Sequence, residues 1–278
     1  MKKLIMNNGA IVPVTGQCYR GLPSELRFID SPRCGIYWRP PGESQPLKVD
    51  VSIAKYYERF GFLYLRHGRR ALPVWEHIGA LAWTGLSGVI VESTWHPPHF
   101  GRVKEFWEAL RPNLVASTED VSWCRPERTV VWRYPKRDGF TQLDPHLDVR
   151  EKSLKVRLVS DYKGIGRLER EFSFPADIDV LLRAFDAYSP AYPPKWKWRI
   201  ATAASWLGWP HRHRMTWPHK QPDAATIELF LLHRLADLVG AFSLASHRHL
   251  PSGVLTSYCS GFEADIEVLR LARFNAIF

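Results

Sequence analysis

The chain has 278 residues, 45% hydrophobic and 24% charged, with a net charge of +10 and a pI near 9.6. That composition is globular, and the length suits one large or two medium domains. No stretch approaches the roughly 18–20 uninterrupted apolar residues of a membrane span. The four cysteines, Cys18, Cys34, Cys124 and Cys259, are scattered without a C-x-x-C pair, which argues against both a disulfide framework and a cysteine zinc site.

In chain order, Met1 to Met6 starts like a signal peptide, but Asn7 and Asn8 end the apolar run short of the roughly 7–15 residues of an h-region. A cytoplasmic protein is expected. Ile11 to Val14 and Gly35 to Trp38 read as strands bounded by turn residues. Pro73 opens a helix through Trp75-Glu76-His77 to Trp83, and Gly85 stops it. Gly88 to Glu92 is a β-branched run and reads as a strand, and Val103 to Leu110 as a short helix. Pro112-Asn113 and the polar stretch Ser117 to Asp120 mark an expected boundary between an N-terminal domain, 1–118, and a C-terminal domain, 119–278.

The second part repeats the theme. Arg128 to Arg133 and Leu154 to Val159 read as strands, and Pro175-Ala176-Asp177 caps a helix through Arg183 and Phe185. Residues 190–222, rich in Pro and Trp, resist assignment. Asp223 starts a long apolar helix from Ala224 to about Leu244, followed by a strand, Gly253 to Tyr258, and a closing helix, Glu263 to Leu271. Two halves with strands before and after one buried helix point to a two-layer α+β fold and an internal duplication. The letters of the two halves show no repeat.

The candidate chemistry lies on the two buried helices. His233 and Asp237 are four apart, on one helix face, and both interrupt an apolar run. A buried carboxylate is costly unless paired or bound to a metal. Such a pair either satisfies itself in the core or ligates a metal, and the spacing leaves both open. In Glu76-His77 the neighbours point about 100° apart, so His77 could ligate a metal while Glu76 reaches its water. Together His77, His233 and Asp237 make a three-ligand set that leaves a zinc position open, which a hydrolytic site needs.

Local sequence narrows this. Val74-Trp75-Glu76-His77-Ile78-Gly79-Ala80-Leu81-Ala82 resembles the V-E-H-L-x-x-A-L-A segment of the UDP-3-O-acyl-N-acetylglucosamine deacetylase family. His233-Arg234-Leu235-Ala236-Asp237-Leu238-Val239-Gly240 resembles its H-K-x-x-D-x-x-G-D motif. Thr15-Gly16-Gln17 with Gly35-Ile36-Tyr37-Trp38-Arg39 is similar to its opening, and Ser260-Gly261-Phe262 falls where that family has S-G-H. The order and spacing match along almost the whole chain. The resemblance implies two similar two-layer α/β sandwich domains packed face to face, with Zn2+ at their junction. It implies His77, His233 and Asp237 as ligands, Glu76 as general base, and hydrolysis of the acetamide of a glucosamine unit. Arg234 stands where the family has a lysine near the site and keeps its charge with another geometry.

The departures concern the acid. Phe262 replaces the histidine that protonates the leaving amine, and Ala241 replaces the carboxylate that would orient it. Phe100-Gly101 stands for a D-G, and Ser189-Pro190-Ala191 matches the family's threonine segment poorly. Glu263, or His247 or His249, could serve as a replaced acid. An anionic substrate fits the +10 charge: a sugar, nucleotide sugar or glycolipid, or a peptidoglycan-type glycan. A zinc-binding pseudoenzyme is the rival within the fold, and retention of Glu76 speaks against it. Basic clusters occur at Arg66 to Arg70, Lys195 to Arg199 and His211 to Arg214. The Trp- and Lys/Arg-rich residues 195–217 carry two further readings, nucleic-acid binding by base stacking and peripheral membrane contact.

Overall fold

The computed structural model describes residues 1–17, 22–57, 62–73, 75–95, 102–162, 166–187, 190–191, 215–216 and 224–277. It is a mixed α+β structure. The N-terminal half runs β1 (Lys2–Met6), β2 (Ile11–Gln17), β3 (Pro23–Asp30), β4 (Ile36–Arg39), β5 (Leu47–Lys48), β6 (Ala54–Tyr57), β7 (Phe62–His67), β8 (Arg70–Leu72), α1 (Trp75–Ala80), β9 (Val89–Ser93), α2 (Lys104–Leu110) and β10 (Leu114–Asp120). The C-terminal half runs β11 (Ser122–Pro126), β12 (Val130–Arg133), β13 (Phe140–Asp144), β14 (Leu154–Tyr162), β15 (Gly166–Phe174), α3 (Ile178–Ala184), β16 (Pro190–Ala191), β17 (Met215–Thr216), α4 (Ala224–Phe242), β18 (His249–Pro251), β19 (Gly253–Tyr258), α5 (Phe262–Leu271) and β20 (Phe274–Ile277).

Each half builds a five-stranded sheet, ordered β2-β3-β9-β4-β5 in the first and β12-β13-β19-β14-β15 in the second. The pairings match position by position: antiparallel, antiparallel, parallel, antiparallel. A parallel pair requires a crossover. The crossover from β4 to β9 contains α1, and that from β14 to β19 contains α4. The helices that follow the two central strands, α2 and α5, correspond in the same way. The duplication that the letters conceal is thus present in the topology.

The strand, helix and turn signals fall where the sequence places them, with α1 continued by a 3-10 turn, Leu81–Thr84, that ends at left-handed Gly85 (φ 97°). Ser117 to Asp120, at the expected boundary, is the end of β10, which pairs antiparallel with β1. Its polarity reflects a solvent-exposed strand rather than a loop. The signal-like start is likewise a strand. After Asp120 the chain passes to β11, which pairs with β18 and β20. The Arg66 to Arg70 cluster spans the β7–β8 hairpin, with Gly68 and Arg69 at its turn. Cys34, Cys124 and Cys259 are free thiols, and burial pushes Cys124 up to about 12.

One continuous core joins the sheets to the helices, including Phe28, Trp38 and Val91 on the first sheet, Val156 and Leu255 on the second, and Ile78, Leu235 and Val239 on α1 and α4. Among the described residues no helix is long and apolar enough to cross a membrane.

The corresponding helices α1 and α4 pack against each other at two glycines. A Cβ on Gly240 would fall onto the carbonyl oxygen of Glu76, and one on Gly79 onto the Gly240 carbonyl oxygen and Ser243 Oγ. The Trp83 indole N–H donates to the Val239 carbonyl at 2.7 Å and fastens the same crossing. Alanine is the better helix former by about 1 kcal/mol, so absent this contact Gly240→Ala would stabilise the protein. Here the overlap decides: Gly240→Ala is expected to destabilise by about 1–3 kcal/mol or more. Gly261→Ala, whose added methyl meets only the Tyr134 hydroxyl at 3.6 Å, should stay within about 0.5 kcal/mol. Urea unfolding midpoints of the two variants check this.

Candidate metal centre

The crossing at Gly79 and Gly240 sets His77 of α1 opposite His233 of α4. The two imidazoles are buried, their ring centroids 6.3 Å apart and their planes at 78°. Asp237, one turn after His233, places Oδ2 3.2 Å from His233 Nε2. The other ring nitrogen, Nδ1, lies 3.2 Å from the Ala187 carbonyl. A carbonyl can only accept, so Nδ1 carries the hydrogen, and Nε2 is left facing the carboxylate. Two electron-rich atoms so placed need a cation between them, a proton or a metal ion. Burial opposes a charge on His233, but the Asp237 charge and hydrogen bond outweigh it and raise the imidazole above its ordinary value. Burial likewise works against the Asp237 carboxylate, and His233 outweighs it to hold the group low.

His77 has no such partner. Its Nδ1 is buried without a hydrogen-bond partner among the described residues. Burial pushes it down to about 4, Asp237 works against that shift, and His233 adds to it. At neutral pH it is therefore an uncharged imidazole with an unsatisfied ring nitrogen, the form in which histidine binds metals.

These residues fit a zinc ion in chemistry and partly in geometry. Two donors on one tetrahedral zinc, each at about 2.0–2.1 Å, lie about 3.3 Å apart, close to the Nε2–Oδ2 separation of 3.2 Å. Two imidazoles on the same ion would bring their centroids to about 5 Å, so His77 stands about an ångström wide. As placed, no group of three or more His, Cys, Asp or Glu among the described residues closes into a coordination sphere. The Ala187 carbonyl supplies the outer hydrogen bond that a ligating histidine ordinarily makes.

Glu76 is buried beside His77, and one of its oxygens, Oε2, accepts the Leu63 backbone N–H of β7 at 3.0 Å. Arg234 is largely buried, and its guanidinium turns toward α5. Nη2 bridges both oxygens of Asp265 at 3.0 and 2.8 Å and donates to Ser260 Oγ at 3.0 Å and Ser257 Oγ at 3.3 Å. Asp265 is fully buried and also accepts the Thr141 hydroxyl at 2.8 Å. Burial pushes the Asp265 carboxyl up, and Arg234 and Thr141 pull it back. Burial opposes the Arg234 charge, but Asp265 and Asp237 outweigh it. The sequence reading missed Asp265. Its signal was an acid flanked by Ala264 and Ile266 on the apolar side of α5.

The remaining candidates are dispersed. Glu263 lies half-buried in the first turn of α5, and Phe262 packs against the core. Ala241 is fully buried. His247 and His249 lie past the end of α4 and line a separate cavity of 40 Å³ with Lys3, Ser87 and Ser122. The lining of that cavity includes none of His77, His233 and Asp237. Phe100-Gly101, Ser189 and most of the Trp-rich segment 195–217 lie outside the described residues, as does Cys18.

No protein-family model matches this chain, and no curated protein matches it.

The titration of His77 gives a pH signature in metal-free protein. Its pKa in the fold, about 4, lies below the ordinary value of 6.5, so the unfolded chain binds more protons between those values. The stability this group contributes is complete above about pH 6.5 and is lost as pH falls toward about 4. His233, raised in the fold, acts in the opposite sense in both proteins. In EDTA, wild type should lose on the order of 1–2 kcal/mol more than His77→Gln between pH 7 and pH 5, read from urea midpoints at the two pH values.

Proposed function

We propose that this chain is a zinc-dependent amidohydrolase that removes the acetyl group from an N-acetylglucosamine-containing substrate, acting like the UDP-3-O-acyl-N-acetylglucosamine deacetylases. The observation that supports it most is the approach of His77 to the His233–Asp237 pair from corresponding helices of a duplicated fold, with buried Glu76 adjacent. The two halves act as two similar α+β domains, 1–118 and 119–278, facing each other through α1 and α4, with the site at their junction.

Zinc held by His77, His233 and Asp237 would supply Lewis acidity toward water and the amide carbonyl. The chain's own residues do the rest. Glu76 takes the proton of the attacking water, its carboxylate oriented by the Leu63 amide. Arg234, one residue from His233, adds positive potential that favours the developing oxyanion. Glu263 is the acid nearest in sequence to Phe262 and the proposed donor to the leaving amine. A groove of 610 Å³ beside α4, lined among others by Trp107, Phe185, Leu229 and Leu232, has the size of a small-molecule site. The chain's net charge of +10 favours an anionic sugar, nucleotide sugar or glycolipid.

A second reading, a zinc-binding pseudoenzyme, is favoured by one observation: Phe262, which transfers no proton, stands where the resemblance expects the acid.

Zinc content and acetate release from a panel of N-acetylglucosamine substrates separate the two. Wild type should carry about one zinc per chain, as the three-ligand site requires, and His233→Ala should lose it. Glu76→Gln should keep the zinc and lose about 10²–10⁴-fold in turnover. Zinc without acetate from any substrate would favour the pseudoenzyme.

A further inference from the structure

Arg234 sits between two buried carboxylates. On one side it holds Asp265, and on its own helix Asp237 lies three residues on, where side chains are neighbours about 5–6 Å apart at Cβ. Its charge reaches Asp237 and helps hold that carboxyl low. A guanidinium at this position has an alternative partner in the carboxylate that the proposed metal needs. What keeps it turned away is the α5 network. Asp265 offers both oxygens to Nη2, and Ser257 and Ser260, themselves hydrogen-bonded at 2.7 Å, offer two further acceptors. Thr141 of β13 fixes Asp265 in turn.

We infer that Asp265 is a positioning residue that retains the Arg234 guanidinium on α5 and so leaves the Asp237 carboxylate to a divalent metal ion. The inference rests on the metal-site reading above. Without the Asp265 charge, Arg234 is a largely buried cation, and the other carboxylate whose charge acts on it is Asp237. Arginine and metal then compete for one carboxylate. The competition disappears if the arginine is removed as well. A pair that merely braces α4 against α5 would lower the melting temperature of Asp265→Asn without a selective loss of cobalt affinity.

The test is titration of the full-length metal-free protein with cobalt(II), followed by its visible absorption, with affinities set by chelator competition. Thermal melts by circular dichroism establish that each variant is folded at the titration temperature. Asp265→Asn should weaken cobalt binding about 10–100-fold, the usual range for outer partners of a metal site. The double variant Arg234→Met/Asp265→Leu, in which apolar groups replace the whole pair, should return to within about threefold of wild type. Should Asp265→Asn fail to fold, the double variant alone decides: affinity near wild type supports the retaining role, and a loss as large as 10-fold overturns it. Asp265→Asn binding within about twofold of wild type also overturns it while leaving the metal site intact. If wild type binds no cobalt, or His233→Ala binds it as well as wild type does, the metal-site reading fails and takes this inference with it.

Discussion

The contact on which the site depends is the backbone approach of α1 and α4 at Gly79 and Gly240. Each glycine weakens its own helix by about 1 kcal/mol relative to alanine, and neither position lies in the left-handed region that would require glycine. Their need is steric: the Glu76 and Gly240 carbonyls occupy the places where methyl groups would be. Closer packing of the two helices, with the Trp83–Val239 hydrogen bond across them, offsets that cost. The geometry has a direct consequence. Glu76 and His77 are the residues just before Gly79, and His233 and Asp237 the turns just before Gly240. Helices kept one methyl further apart would separate His77 from the pair by more than the rings already are.

The duplication explains why polar groups gather at this place. Both sheets carry the same strand order, and each sends one crossover helix to the middle of the molecule. The two corresponding helices meet, so a residue near the crossing on either one is buried by the other half. Glu76, His77 and His233 are buried where these two helices meet, with Asp237 largely so. Burial of that kind lowers His77 and, absent Asp237, would lower His233 too. Only His233, which faces a carboxylate at hydrogen-bond distance one turn on, is raised.

Much of this was legible from local pattern. The apolar run broken by His233 and Asp237, the Pro73 and Gly85 bounds of α1, and the β-branched runs of β9 and β19 each carry a signal of their own. The illegible parts depend on partners distant in sequence. Ser117 to Asp120 is polar because β10 is a solvent-facing strand, and nothing local separates that from a linker. The link between Arg234 and Asp265 spans 31 residues and has no period to announce it. The matching topology of the halves resides in pairing order, which single-sequence patterns do not contain. His247 and His249 line a cavity that includes none of His77, His233 and Asp237, a placement that depends on the turn after α4.

The charges around α4 bear on the proposed chemistry in a way that the departures at Phe262 and Ala241 do not. Arg234 pairs with Asp265 and His233 with Asp237, and Glu76 is buried beside them. Exchange of the single proton between His233 and Asp237 for a dication adds one positive charge to this cluster. Loss of the S-G-H histidine does not alter the charge there, because a neutral imidazole and a phenylalanine contribute the same charge. A site that had lost its chemistry could also have dispensed with the Glu76 carboxylate, yet that group persists in the interior, held by the Leu63 amide. A buried acid beside a neutral histidine is the arrangement a divalent ion would complete.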